Sequence, residues 1–378
     1  MKPNTIYCGD SIALMQTWKP ESVHLAFADP PYNIGYVYDK YTDDLPDAQF
    51  VNWCRQWMAG IRRLLTADGS FYLAIGDEFA ADLRIVGREL GFTLRNWIIW
   101  HYAFGQHMKA KFGRSHIHIF YFTKDATRFT FNDDAVRYPS ARHTEYQDLR
   151  ADPRGRILHD VWADIPRVCG TFKERAGFHG CQLPEALLSR IVLASSRPGE
   201  IVFDPFMGTG TTAVAAKRLG RSYVGIDLSP EYVKRTNDRL ARVKCELGAT
   251  AVDAEWPALH CELLCQLYRE TSVSVDNLLP NAAAMRVITN SLNARAQTEY
   301  SMEAVRTALQ RLRDDKALPK LPNDRPYVAR KHVTEAGKKY VRKTLRLRNR
   351  KTRDLSETMN TSTELGNPKI ISALLSGV

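Results

Sequence analysis

Residues 23–33 read VHLAFADPPYN, a short apolar run closed by an acid and two prolines. A run of this length, bounded by a turn signal, suits a strand buried on both faces of a sheet. Asp29, Pro30, Pro31 and Tyr32 then project from its carboxyl end, where open α/β sheets build their sites. Proline fixes its own φ and lacks an N–H. The pair stiffens the turn and leaves the Pro30 carbonyl without a competing donor on the next residue.

Similar runs recur outward from this stretch. Residues 70–75 (SFYLAI), 98–102, 117–122, 201–203 and 223–226 read as strands, while residues 47–65 and 79–90 carry apolar side chains at helical steps. The alternation continues to about residue 245 and predicts a layered α/β core with a parallel sheet. Between 125 and 178 it lapses into a stretch rich in charge, Pro and Gly, too long for an ordinary connection and expected as an insertion. Beyond 249 strands cease, and residues 261–269, 281–292 and 301–314 look helical, the last two as a helix-turn-helix-like pair. The expected divisions are 1–124, 125–178, 179–248, 249–325 and 326–378.

A second turn sharpens the picture. Residues 203–212, FDPFMGTGTT, sit between a strand and a helix, and the glycines permit a tight turn there. Phosphate binding is the competing reading, but no Lys follows the glycine pair as a P-loop requires. Asp227 lies twenty-three residues after Asp204, near the spacing at which nucleotide folds place an acid on ribose hydroxyls. It could equally cap the helix that begins at Ser229-Pro230, and Asp10 could cap the helix after it.

Composition bounds the rest. Of 378 residues 44% are hydrophobic and 25% charged, with no apolar run of the roughly 18 to 20 residues that span a bilayer. The opening MKPNTIYCGD lacks a signal-peptide core, so a cytoplasmic protein without membrane partners is expected. The seven cysteines form no CxxC pair, and neither Cys261 with Cys265 nor His116 with His118 makes a convincing ligand set, so no metal is expected. The net charge is +11, and residues 330–353 alone hold eleven Lys or Arg against Glu335. Such a concentration suits a polyanionic partner.

Residues 29–32, DPPY, resemble the catalytic motif of amino-group DNA methyltransferases. Residues 203–212 resemble the S-adenosylmethionine motif of the same family, DPFxGxGTT. Residues 8–10 (CGD) are similar to its adenine-contacting element. Residues 178–184 (FHGCQLP) are similar to the element leading into the cofactor motif, although many relatives have Lys-Pro where this chain has Gln182-Leu183-Pro184. The catalytic motif precedes the cofactor motif, as in the circularly permuted beta class, where the insertion is the target-recognition region.

The resemblance implies a Rossmann-like S-adenosylmethionine-dependent methyltransferase core with a mainly helical C-terminal extension. It makes Asp29, Pro30, Pro31 and Tyr32 catalytic. Asp10, Gln182, Phe203, Asp204, Phe206, Gly208, Thr209, Gly210, Thr211, Thr212 and Asp227 become cofactor-binding. An exocyclic amine is a poor nucleophile, because its lone pair is delocalised into the ring. Acceptors that hold its hydrogens orient that lone pair toward the methyl group, and Tyr32 offers a face to a flipped base. Asp at position 29 favours adenine N6, since cytosine-N4 enzymes more often carry Ser there. Cytosine C5 chemistry needs a nucleophilic Cys, which the family form places in a Pro-Cys dipeptide absent from this chain. The expected partners are double-stranded DNA, a second copy of the chain and a cognate restriction endonuclease, with a nucleoid location through DNA. A reading from another class is a DNA-binding regulator with a vestigial core, against which stands the presence of every motif residue named.

Overall fold

A computed structural model describes residues 1–102, 109–110, 112–146, 148, 150–170, 172, 174–249, 256–319 and 321. The expected tail 326–378 and its basic run lie outside the described residues. The first half comprises β1 (Thr5–Cys8), α1 (Ser11–Thr17), β2 (Val23–Ala28), α2 (Asp47–Leu64), β3 (Leu65–Ile75), α3 (Ala80–Glu89), β4 (Thr93–His101) and β5 (His116–Thr123). A 3-10 turn at Asp133–Val136, β6 (Arg137–Tyr138), α4 (Ala141–Thr144), β7 (Arg156–Ile157) and β8 (Val161–Trp162) follow. The second half is α5 (Glu185–Ser195), β9 (Ile201–Asp204), α6 (Thr211–Arg218), β10 (Ser222–Asp227) and α7 (Pro230–Ala241). Last come α8 (Ala258–Thr271), α9 (Val275–Leu278), α10 (Ala282–Ala296) and α11 (Met302–Asp314).

Eight strands form one sheet in the order β1-β10-β9-β2-β3-β5-β4-β8. Side chains alternate across a strand, so β2 feeds two cores. Leu25 and Phe27 join Leu187 and Ile191 of α5 on one face, while Ala26 and Ala28 join Phe50, Trp57 and Ile61 of α2 on the other. That double burial explains the apolar run of residues 23–28, interrupted by His24, whose Nδ1 accepts from the Ile201 N–H at 3.1 Å. It also fixes which end of β2 carries the acid turn.

The sheet is mixed rather than parallel. β5 runs against both β3 and β4, whereas every other neighbouring pair is parallel. Because β4 and β5 pair directly as a hairpin, their directions must oppose. In consequence the start of β5 shares an edge with the carboxyl ends of its neighbours.

One further expectation is corrected by packing. The end of the expected insertion belongs to the main sheet, since Val161 and Trp162 pair with Ile99 and Trp100. The first helix of the expected helix-turn-helix-like pair, α10, packs much of its circumference against the core. Met285, Ile288 and Leu292 enter the same core as α5, and Asn281 donates to the His143 carbonyl at 3.0 Å. Ala282, Arg286 and Asn290 form its exposed stripe, and α11 buries Val305 and Leu309.

Candidate active site

β2 lies beside β9, with Leu25 opposite Val202 and Ala26 opposite Phe203. Two Asp-Pro turns, Asp29-Pro30 and Asp204-Pro205, therefore emerge side by side at one edge. A single cavity of about 370 Å³ takes in both. Its volume falls within the roughly 300 to 1,000 Å³ of small-molecule sites.

Asp29, Pro30, Pro31 and Tyr32 all line this cavity. The Tyr32 hydroxyl donates to Asp29 Oδ1 at 2.6 Å. Gly76, just past β3, makes room for that ring, since a Cβ there would lie 3.3 Å from Tyr32 Cδ2. Among the described residues nothing donates to Asp29 Oδ2 or to the Pro30 carbonyl. Burial pushes the Asp29 carboxyl up to about 7, against the lowering pull of the Tyr32 hydroxyl and with a further push from Asp204.

The second turn is wired differently. Asp204 Oδ1 accepts from the Phe206 N–H at 2.9 Å, and Oδ2 from the Thr212 hydroxyl at 2.6 Å. Burial still raises this carboxyl to about 7, opposed by those two bonds and aided by Asp227. Gly210 adopts φ +78°, and a Cβ there would lie 2.4 Å from Thr236 Cγ2 of α7. Backbone and packing both demand glycine at this point.

Asp10, Gln182, Asp204, Phe206, Gly208, Thr209, Thr211, Thr212 and Asp227 line the cavity, and Phe203 and Gly210 do not. Phe203 is a core residue beneath the turn. Asp10 caps α1, accepting from the Ala13 N–H at 2.8 Å. α7 is capped by Ser229 rather than Asp227, whose two oxygens each accept one backbone N–H, from Gly208 and Ser229, both at 2.8 Å. Those bonds fix the carboxylate while leaving it lone pairs for a ligand. Gln182 lines the cavity with its amide held locally. Its amide donates to the Glu174 carbonyl and accepts from the Ala176 N–H, both at 2.7 Å, so both ends brace the adjoining loop.

Sequence reasoning passed over the aromatic wall. Tyr36, Tyr38, Tyr41, Trp53, His179 and Tyr232 also line the cavity. Tyr36 packs on Tyr38, Tyr38 on His179 and His179 on Tyr232, with centroids 4.7, 5.8 and 5.2 Å apart. The loop carrying the first three is held from below by Asp43, fully buried, which accepts the N–H groups of Asn33 and Ile34. Asp39 ties it to α7 by accepting from the Ser229 hydroxyl at 2.6 Å. The available signal was four tyrosines within residues 32–41.

Comparison with known proteins agrees with this geometry. The DNA methylase family model, which covers N6-adenine and N4-cytosine enzymes, matches residues 23–238, a span holding both turns. The DNA adenine methyltransferase YhdJ of Escherichia coli (strain K12) is 37% identical over 244 residues, covering 62% of this chain and 82% of that protein. The Type II methyltransferase M.HpaI of Haemophilus parainfluenzae is 33% identical, covering 62% and 73%. The cytosine-N4-specific PvuII DNA methyltransferase superposes with a TM-score of 0.50 at 18% identity, covering 71% of this chain and 93% of that one, and shares the fold. This chain belongs to the DNA methylase family, with a Rossmann-like methyltransferase core, and DNA is its partner. Among the described residues no helix is long and apolar enough to cross a membrane.

Proposed function

We propose that this protein transfers a methyl group from S-adenosyl-L-methionine to N6 of an adenine flipped out of duplex DNA. The observation that carries the proposal is the opening of the Asp29 and Asp204 turns into one cavity. The donor set fits the cofactor, because Asp29, Asp204 and Asp227 line a wall where burial holds all three carboxyls above their usual range. Such a wall favours a ligand with positive charge and hydrogen-bond donors.

When bound, the cofactor supplies an electrophilic methyl group on a sulfonium. Asp204 and Asp227 take its cationic and hydroxyl groups. A positive charge in the cavity lowers the Asp29 carboxyl from about 7, so that Asp29 is ionised when it acts. Asp29 Oδ2 and the Pro30 carbonyl then accept the two amine hydrogens and aim the lone pair at the methyl group. Tyr32 holds Asp29 through Oδ1 and offers its ring to the base.

Adenine is preferred to cytosine on Asp29 itself and on the name of the 37% identical relative. The Type II names among the relatives extend the proposal to a place beside a cognate restriction endonuclease, and DNA binding extends it to the nucleoid. Incubation with duplex DNA and labelled cofactor, followed by digestion to nucleosides and mass analysis, tests it. N6-methyladenine is expected. N4-methylcytosine would overturn the base assignment, and no transfer to any DNA would overturn the function.

A further inference from the structure

The cavity changes character along the edge of the sheet. In strand order β1, β10, β9 and β2 bring Asp10, Asp227, Asp204 and Asp29, all acids. Beyond Asp29 the start of β5 and the ends of β4 and β8 bring Arg114, Tyr102 and Arg167. The first half suits a cation and the second an anion.

The cations on the wall are not equivalent. Arg114 is engaged by Asp77 at 2.8 Å and Glu78 at 3.1 Å. Lys40 belongs to the loop that Asp39 ties to Ser229 at the acidic end. Arg167 is exposed, makes no ion pair among the described residues, and lies 5.7 Å from the centroid of the Tyr102 ring. Its charge is available to a ligand.

The segment that presents Arg167 is held firmly. Arg190 of α5 donates to Asp164 at 3.1 Å and to Glu270 of α8 at 2.8 Å, and Arg295 of α10 donates to that same Glu270 at 2.7 Å. These side chains are almost wholly buried, so each charge depends on the others. Next in line, Ile165 is buried and its carbonyl accepts from Trp100 Nε1 at 2.8 Å. A backbone already ordered loses little entropy when its arginine engages a ligand.

We propose that Arg167 binds the phosphodiester beside the target nucleotide and so holds the flipped base over Asp29, and that α8 and α10 position it through the Glu270 network. The proposal rests on the reading of this cavity as the DNA methylation site. A guanidinium fork matches phosphate geometry. This gives α8 and α10 a part in the reaction.

The test uses the full chain with cofactor and measures duplex DNA affinity against salt for wild type, Arg167→Ala and Arg167→Lys. Arg167→Ala should lower the slope of log affinity against log salt by about one and raise KM for DNA on the order of tenfold. Its cofactor affinity should match wild type. Arg167→Lys should keep the slope, since it keeps the charge. A wild-type slope and KM in Arg167→Ala would overturn the proposal, as would an equal loss of cofactor binding. Methyl found on cytosine would refute the adenine assignment and leave the slope comparison in force.

Discussion

The two Asp-Pro turns on β2 and β9 start from the same chemistry and end in different states. Both follow buried strands, both open on one cavity, and burial brings both carboxyls to about 7. What separates them is occupancy. Each Asp204 oxygen already accepts a bond from its own turn, whereas Asp29 has one oxygen held by Tyr32 and the other turned over to the cavity. A carboxylate fixed at both ends acts as part of a rigid binding surface. One fixed at a single end can orient a reacting group without losing its own position.

The largest effect expected from this division is on turnover. Asp29→Ala should reduce methyl transfer to DNA on the order of a thousandfold, the scale of removing a directed electrostatic partner from a reacting centre, as measured by label transfer at saturating cofactor. Retention of near-normal rates would dissolve the distinction between the turns.

A smaller effect is expected from pH. Folding raises both carboxyls from 3.8 to about 7, so the folded protein binds protons that the unfolded chain releases. Stability without ligand should therefore fall as pH rises from about 4 to about 7 and then level off. A cationic ligand prefers the ionised wall, so cofactor affinity should rise with pH across the same window, by up to about tenfold per unit for each carboxyl that must ionise. Calorimetric titration across pH 5 to 8 reads this, and a flat profile would show that the wall does not ionise on binding.

The smallest is expected from Tyr32→Phe, which keeps the ring and removes the bond to Asp29. That bond lowers the Asp29 carboxyl. Its loss should move the acid limb of the rate profile to higher pH and slow transfer on the order of tenfold. An unmoved limb would mean that Tyr32 serves the base alone.

Much of this site was legible in the sequence, because strand-terminal turns are local. An apolar run ending in Asp-Pro-Pro, or in Asp-Pro-Phe with spaced glycines, fixes its own strand, exit point and edge. What escaped depends on contacts between distant segments. The reversed direction of β5 leaves no trace in alternation, which reads the same both ways. The capture of Gln182 by its own loop depends on how residues 174–176 fold back. The Arg190–Glu270 bond joins residues 80 apart, neither in a motif. The helical pattern of α10 was visible, but not how much of its circumference the core would cover.

The most direct measurement titrates cofactor in Asp29→Asn and Asp204→Asn side by side, recording both its binding and single-turnover methyl transfer to duplex DNA. Asp29→Asn should bind cofactor much as wild type does, with transfer lost at every concentration. Asp204→Asn should bind weakly and recover transfer when cofactor is raised to saturation. If saturating cofactor restored Asp29→Asn, or failed to restore an Asp204→Asn protein that binds normally, the division between a binding turn and a reacting turn would be contradicted.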